Sequence, residues 1–374
     1  MSSYLFIRSS TNPGPRVSRI MRFFVKNNKK VVYLSPTRSG DLADKNYRNF
    51  GYLGNYEYFD GTNFISYFKY LVEINIKISK KIFKHRSSIK LVHFSDLETV
   101  ILGGLICKLL NINFIYNIHD NFFQRYEFMS LVANSLKYLE VIYILLSSAT
   151  LVPEIFRKNA YPRISHEKIV IFKNYPDYDV SAEYIPFSKR IISLFYGGWI
   201  SENRHIDQYL DLAQILKKHN YPVSLVVCGW GDEEYLVTLK KQFQDFEIDF
   251  VYLGQISQEE CITHLKNADI SIAFYNPNKV INLLAASNKI PEIIGSSTIL
   301  ITNNQTEIAK KIEGESISLQ FKDNLNEIEN DLIELIEDKK KLNGFMLRAE
   351  EYYKKEYSPF DQIRVLKDIF SSYM

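Results

Sequence analysis

Lys289 and Glu292 lie three residues apart and share one face of a short helical stretch. Asn288 is placed to cap it, and Gly295 to end it in a left-handed turn before the apolar run 297–301. Helix-end amides and a lysine attract phosphate, and a carboxylate accepts two ribose hydroxyls, so these residue types suit a nucleoside diphosphate. An ordinary αβ turn with a solvated Lys/Glu pair has the same local pattern. Two other stretches add to the set. In 197–204, GGWISENR, Gly197 and Gly198 follow an apolar strand and Arg204 opens the next helix. Charge-assisted bonds from Arg204 to a diphosphate would contribute roughly 1.5–3 kcal/mol each, and a solvated arginine fits the loop equally well. Gly229-Trp230-Gly231-Asp232 either lets backbone approach a ligand or simply turns tightly, and it lacks the third glycine of a dinucleotide fingerprint.

The first half carries its own candidates. Gly14 sits in the loop 9–15, between an expected strand at 4–7 and a helix over 16–26. Arg16, Arg19 and Arg22 recur every third residue and give that helix a basic face, with a solvated face as the plain reading for Arg19 and Arg22. His119 and Asp120 follow an apolar run, 114–118, at the carboxyl end of an expected strand, where open α/β sheets place ligands. His119 would touch a sugar hydroxyl or phosphate there, or cap the next helix. Lys77, Lys80, Lys81, Lys84, Arg86 and Lys90 crowd the end of a long helix expected over 64–83, with Ile82 and Phe83 interleaved. Near an anionic bilayer each cation is worth roughly 1 kcal/mol, enough for peripheral attachment, and a solvated helix end is the alternative.

The elements that must position these residues read as two αβ series. Strand-like runs in the first half give way to a linker over 181–189, and a second series has strands expected at 191–196, 223–228, 250–253, 270–274 and 298–302 with helical patterns between. A chain of 374 residues is too long for one ordinary core, which agrees with two domains. Net charge is +3, yet residues 1–178 hold 25 Lys+Arg against 13 Asp+Glu while the remainder holds 21 against 30, so the halves are about +12 and −9. Cys107, Cys228 and Cys261 are odd in number and embedded in apolar runs, as expected of reduced, buried thiols in a cytoplasmic protein, and they imply no metal. No signal peptide is evident, and the apolar runs are too short or interrupted to span a bilayer. A Walker loop, HExxH, CxxC and GxSxG are all missing from the sequence.

Taken in order, these stretches resemble the retaining, nucleotide-sugar-dependent family-four glycosyltransferases of GT-B fold that assemble bacterial surface polysaccharides. The resemblance runs through Pro15-Arg16-Val17, Val92-His93-Phe94-Ser95-Asp96-Leu97, Tyr116-Asn117-Ile118-His119-Asp120 and Asn174-Tyr175-Pro176-Asp177. It continues through Tyr196-Gly197-Gly198 to Arg204, Gly229-Trp230-Gly231, Leu253-Gly254, Ser287 to Glu292 and Tyr357 to Gln362. It implies two doubly wound Rossmann-like domains facing a central cleft. Residues 1–180 would form the acceptor domain, joined by a C-terminal helix, 357–374, that crosses back to it, and residues 188–356 the donor domain. It further implies catalytic roles for His119 and Arg204, and donor contacts from Gly14, Gly198, Trp199, Arg204, Gly229, Lys289 and Glu292. Acceptor or membrane contacts would come from Arg16, Asp120, Lys77, Lys80, Lys81, Lys84 and Arg86.

The activity so implied is transfer of a sugar from a UDP- or GDP-linked donor to a saccharide or lipid-linked acceptor, with retention and without metal or other cofactor, at the inner face of the plasma membrane. No nucleic-acid partner is expected. Two positions depart from the pattern. Leu284 stands where a paired glutamate is usual, and Trp199 where an arginine is usual. A non-catalytic GT-B subunit partnering another glycosyltransferase and a nucleotide-sugar epimerase are the competing readings.

Overall fold

A computed structural model describes residues 3–10, 13–35, 64–126, 129–176 and 185–373. Thr11 and Asn12 of the first loop, Asp177, and residues 181–184 of the expected linker lie outside the described residues. The chain divides into two compact units, Met1–Lys173 with Pro359–Met374, and Asn174–Ser358. Each contains a six-stranded sheet whose paired strands are parallel.

In the first unit the strands are β1 (Ser3–Ile7), β2 (Lys30–Leu34), β3 (Ile89–Ser95), β4 (Asn113–Asn117), β5 (Ala149–Val152) and β6 (Ile169–Ile171), in the order β2-β1-β3-β4-β5-β6. Every residue of β1 is buried, as expected when helices cover both faces of a parallel sheet. The helix Gly14–Lys26 covers part of it with Val17, Ile20, Met21 and Phe24. The C-terminal helix Pro359–Phe370 also belongs to this unit. Its Phe370 packs edge-on against Phe24 at 4.7 Å between ring centroids, and Gln362 Oε1 accepts the Lys173 amide at 2.9 Å. In the second unit the strands are β7 (Ile192–Ile200), β8 (Val223–Gly231), β9 (Asp249–Tyr252), β10 (Ile270–Ala273), β11 (Ile299–Asn303) and β12 (Leu319–Phe321), in the order β12-β11-β10-β7-β8-β9. This is the Rossmann order, and the first unit has the flavodoxin order extended by one strand. Connections leave in opposite directions between β1 and β3 and between β7 and β10. At those two places a crevice opens at the carboxyl ends of the strands.

Several local expectations are corrected. Gly197, Gly198, Gly229 and Gly231 are not loop residues: β7 and β8 run on through them, pairing Gly198 with Gly229 and Ile200 with Gly231. Asn288 makes no side-chain cap. Ser287 Oγ accepts the Lys289 amide instead, at 3.2 Å. Gly295 is the last helical residue, and the left-handed turn falls on Ser297, with φ 57°. The basic face of the first helix is also reduced, because Arg16 and Arg19 are buried and only Arg22 is exposed. His119 caps no α-helix, since a 3-10 turn, Phe122–Tyr126, comes next. Strand β12 had no counterpart in the expected set because it is three residues long.

One buried acid makes stability in the first unit depend on pH. Glu140 is fully buried and its Oε1 accepts from Tyr116 Oη at 3.2 Å and from the Phe122 amide at 3.3 Å. Burial pushes its carboxyl up from 4.5 to about 8, so the folded protein keeps a proton there that the unfolded chain has lost. Stability from this group is fully present below the unfolded value and is lost as pH rises toward about 8, at a slope of at most about 1.4 kcal/mol per pH unit. Glu140→Gln keeps the acceptor oxygen and should flatten the urea midpoint between those pH values. An unchanged slope in the variant would refute the assignment.

Candidate functional site

The glycines of β7 and β8 determine how the second unit's crevice is built. A β-carbon on Gly229 would fall 1.8 Å from the Gly198 carbonyl oxygen, and one on Gly231 would fall 2.0 Å from that of Ile200. Gly198, Gly229 and Gly231 take φ of 138°, 141° and 152°, which L side chains rarely adopt. Two strands can therefore extend side by side past the point where side chains would force them apart. Trp199 and Trp230 are register partners at their tips, 47% and 50% exposed, with rings edge to face at 6.1 Å. Large exposed aromatics of this kind offer a flat apolar surface to a planar or sugar ligand.

Behind the glycines stands Lys289, at the first turn of the helix Lys289–Gly295. Its ammonium lies over the Tyr196 ring, 4.1 Å from the centroid, and a β-carbon on Gly198 would lie 3.6 Å from Nζ. Tyr196 Oη donates to the Trp199 carbonyl, which fixes the ring under the cation. Burial pushes the Lys289 amine down to about 8, Arg204 adds to the fall, and Glu292 opposes it. Glu292 Oε1 accepts from Gln258 Nε2 at 3.3 Å. Arg204, on the 3-10 turn Glu202–Arg204 after β7, is exposed and among the described residues has no hydrogen-bond or ion-pair partner. Its charge reaches Lys289, Tyr196 and Tyr275. A cavity of about 20 Å³, bordered by Tyr196, Gly197, Cys261, Lys289 and Glu292, lies beside the helix.

Gly198, Arg204, Lys289 and Glu292 are thus gathered at one strand edge, with Gly229 beside Gly198. Sequence reasoning missed Tyr196, Trp230 and Gln258. The repeated tripeptides GGW and GWG, each closing an apolar strand, were the available signal for Trp230. Nothing in sequence spacing ties Tyr196 or Gln258 to residues about ninety and thirty-four positions away, and only packing does so.

In the first unit, Gly14, Arg16, His119 and Asp120 come together near the carboxyl ends of β1, β3 and β4. Gly14 takes φ 70°, and a β-carbon there would strike the Arg8 guanidinium. Arg16 is 2% exposed. Its Nη1 donates to the Ile118 carbonyl at 3.0 Å, while Nε and Nη2 have no partner among the described residues. Burial and the neighbouring Arg19 charge push its guanidinium down to about 9. The His119 amide donates to Asp96 Oδ1 at 2.9 Å, and Nε2 lies 3.3 Å from Asn117 Nδ2. Burial, with Arg8 and Arg16 nearby, holds the imidazole well below its ordinary value and hence neutral. Asp120 accepts from the buried Arg157 at 2.8 Å, so much of its charge is already met. Lys84 and Arg86 are elsewhere. The helix Phe64–His85 ends near the amino-terminal ends of β1 and β3, where the Ser3 amide donates to the Ser88 carbonyl at 2.7 Å. Lys77 pairs with Glu73, Lys80 is exposed, and Lys81 is half-buried.

Residues 181–350 match the model of the family Glycosyl transferases group 1. That domain lies within the second unit and supports a glycosyltransferase. Across the whole chain the fold is that of solved GT-B enzymes. The Anabaena protein HepE, solved with UDP-glucose, is similar at TM-score 0.70 and 13% identity over 100% of both chains. Sucrose-phosphate synthase from Thermosynechococcus elongatus is similar at 0.71 and 11% over 100% of this chain and 99% of that one. WaaG, a glycosyltransferase involved in lipopolysaccharide biosynthesis, is similar at 0.65 and 12% over 98% and 99%. No curated protein sequence matches the chain.

The Lys289 environment would set a pH dependence for anion binding at this site. The free ammonium loses its proton near pH 8, so affinity for a nucleoside diphosphate should hold below that value and fall as pH rises through it. Lys289→Met should weaken binding at pH 7 by about ten- to a hundredfold and remove the alkaline limb in a calorimetric titration. A limb that survives in the variant belongs to another group.

Proposed function

We propose that this glycosyltransferase takes its sugar from a uridine diphosphate donor held in the second unit. The observation that carries the reading is the gathering of Arg204, Lys289 and Glu292 around the glycine-built edge of β7 and β8, at the switch point of a Rossmann-ordered sheet. Lys289, Arg204 and the amides opening the helix Lys289–Gly295 meet the diphosphate charge. Glu292 accepts the ribose hydroxyls, and the Trp199–Trp230 pair gives the base or sugar an apolar surface. The choice of uridine is supported by HepE, whose structures hold UDP-glucose or UDP. As the donor bond breaks, negative charge grows on the leaving diphosphate. Arg204 and Lys289 are positioned to stabilise it, with no metal or other cofactor needed in this account. His119 of the first unit is held neutral, so any part it takes is that of a neutral hydrogen-bonding group. Transfer proceeds with retention, as the family resemblance implies, to a saccharide or lipid-linked acceptor of a surface polysaccharide.

Attachment to a membrane is part of the same proposal. The helices Phe64–His85, Leu97–Leu109 and Ser130–Leu146 pack in succession. They leave Phe68, Val72, Leu105, Leu109, Leu131 and Ile142 exposed on their outer sides, accompanied by Lys80, Lys84, Arg86 and Lys108. Apolar side chains mixed with cations suit an anionic bilayer surface, and among the described residues no helix is long and apolar enough to cross one.

UDP should raise the melting temperature of the purified protein by mass action, and Glu292→Ala should abolish the rise. Arg204→Ala should lower transfer by about a hundredfold with UDP-sugar donors, and the product's anomeric coupling in NMR should match the donor's. Full transfer by the arginine variant would remove Arg204 from the mechanism. In the membrane test, Lys80→Glu with Lys84→Glu should release the protein from vesicles containing phosphatidylglycerol, and raised salt should do the same to the wild type. Binding indifferent to both charge and salt counts against the membrane face.

A further inference from the structure

Cys228 and Cys261 are 33 residues apart in the chain, yet their sulfurs lie 3.5 Å apart and the thiols hydrogen-bond. Cys228 is buried in β8, directly before Gly229, and Cys261 is half-buried on the helix Gln258–Lys266. The absence of a side chain at Gly197 makes this meeting possible, since a β-carbon there would come within 2.7 Å of Cys261 Sγ. Cys261 also borders the 20 Å³ cavity beside Lys289 and Glu292, which has room for one water-sized molecule. The thiolate forms more readily at Cys228 than at an ordinary thiol, through its hydrogen bond with Cys261 and, against burial, the Lys289 charge. Cys107 differs: it is buried in the first unit, and burial pushes its thiol up to about 12.

We propose that Cys228 and Cys261 are a peroxide-sensitive dithiol, reversibly oxidised to an intramolecular disulfide that loosens the adjoining helix Lys289–Gly295 and weakens nucleotide binding there. The nucleotide part of this rests on the function proposed above, and the disulfide does not. In the first step the Cys228 thiolate attacks one oxygen of a hydroperoxide, the O–O bond breaks, hydroxide leaves, and a sulfenic acid remains. In the second, the Cys261 sulfur attacks the sulfenic sulfur, and its proton departs with the hydroxyl as water. In sum two thiols are oxidised, one hydrogen peroxide is reduced, and one disulfide and two waters result.

Closing the sulfurs to the roughly 2.0 Å of a covalent bond draws the Cys261 helix toward β8. That helix begins at Gln258, whose side chain donates to Glu292. Oxidation also removes the ionisable thiol of Cys228, whose charge when formed acts on Lys289. Both changes fall on the two residues that the donor site takes from the Lys289–Gly295 helix.

The test treats the full-length protein with hydrogen peroxide, blocks remaining thiols by alkylation, and maps peptides by mass. The expected result is a linked Cys228–Cys261 peptide pair with Cys107 alkylated, all reversed by dithiothreitol. Hydrogen exchange should quicken in the segment 289–295 of the oxidised protein. UDP affinity should fall by about tenfold and recover on reduction. Cys261→Ser should form no disulfide and show neither response. The proposal is overturned if both thiols are alkylated after peroxide exposure, if each is oxidised singly to a sulfinic acid, or if the disulfide forms while exchange in 289–295 stays the same. A reduced protein that binds no UDP would overturn the donor assignment instead, with the peptide map and the exchange data still deciding the dithiol.

Discussion

No side chain fits between the tips of β7 and β8. The Gly198 carbonyl oxygen occupies the space where a β-carbon of Gly229 would lie, and the rest of the second unit's site depends on that close approach. Because the two backbones touch, the strands extend to Ile200 and Gly231 and carry a tryptophan pair out to the solvent edge. The absence of a side chain at Gly197 likewise leaves space behind the strand for the Cys261 sulfur. Glycine is used here for volume as much as for backbone freedom.

Electrostatics then operate within a frame that packing has fixed. Lys289 is held over Tyr196 and beside Arg204, so two cations sit close together with one carboxylate between the helix and its neighbour. Like charges near one another are unfavourable in the free protein, and the lowered Lys289 value reflects that tension together with burial. An incoming polyanion relieves it, so the repulsion between cations becomes part of the binding free energy. Half-buried Cys261 borders the same cavity as Lys289 and Glu292, which is the physical basis of the proposed dithiol coupling.

The first unit solves a different problem with similar parts. Arg16 is buried at the start of a helix with two donor nitrogens that find no partner among the described residues, and His119 is anchored by its own amide to Asp96. Asp96 itself takes φ 65°, a conformation that a non-glycine residue holds only when its surroundings insist on it. Its carboxyl, pushed up to about 6 mainly by burial, accepts the His119 amide and so links the ends of β3 and β4. The cationic helix end at Lys84 and Arg86 stands apart from all this, near the amino-terminal ends of the strands.

The sequence by itself determined the alternation of strands and helices, the two-unit plan, the presence of glycines where strands end, and the shared helical face of Lys289 and Glu292. Each of these follows from local patterns: hydrophobic period, turn chemistry, and the three-residue spacing of a helix. It also held the ordered set of motifs that pointed to a glycosyltransferase. Only the tertiary structure decided that the glycines lie inside paired strands, because pairing joins residues 198 and 229, far apart in sequence. The same holds for Lys289 over Tyr196, Gln258 on Glu292 and Cys261 against Cys228. It also decided that Arg19 is buried where a three-residue spacing suggested a solvated face. Those are long-range contacts, fixed by how sheets and helices pack, and no local window of sequence carries them.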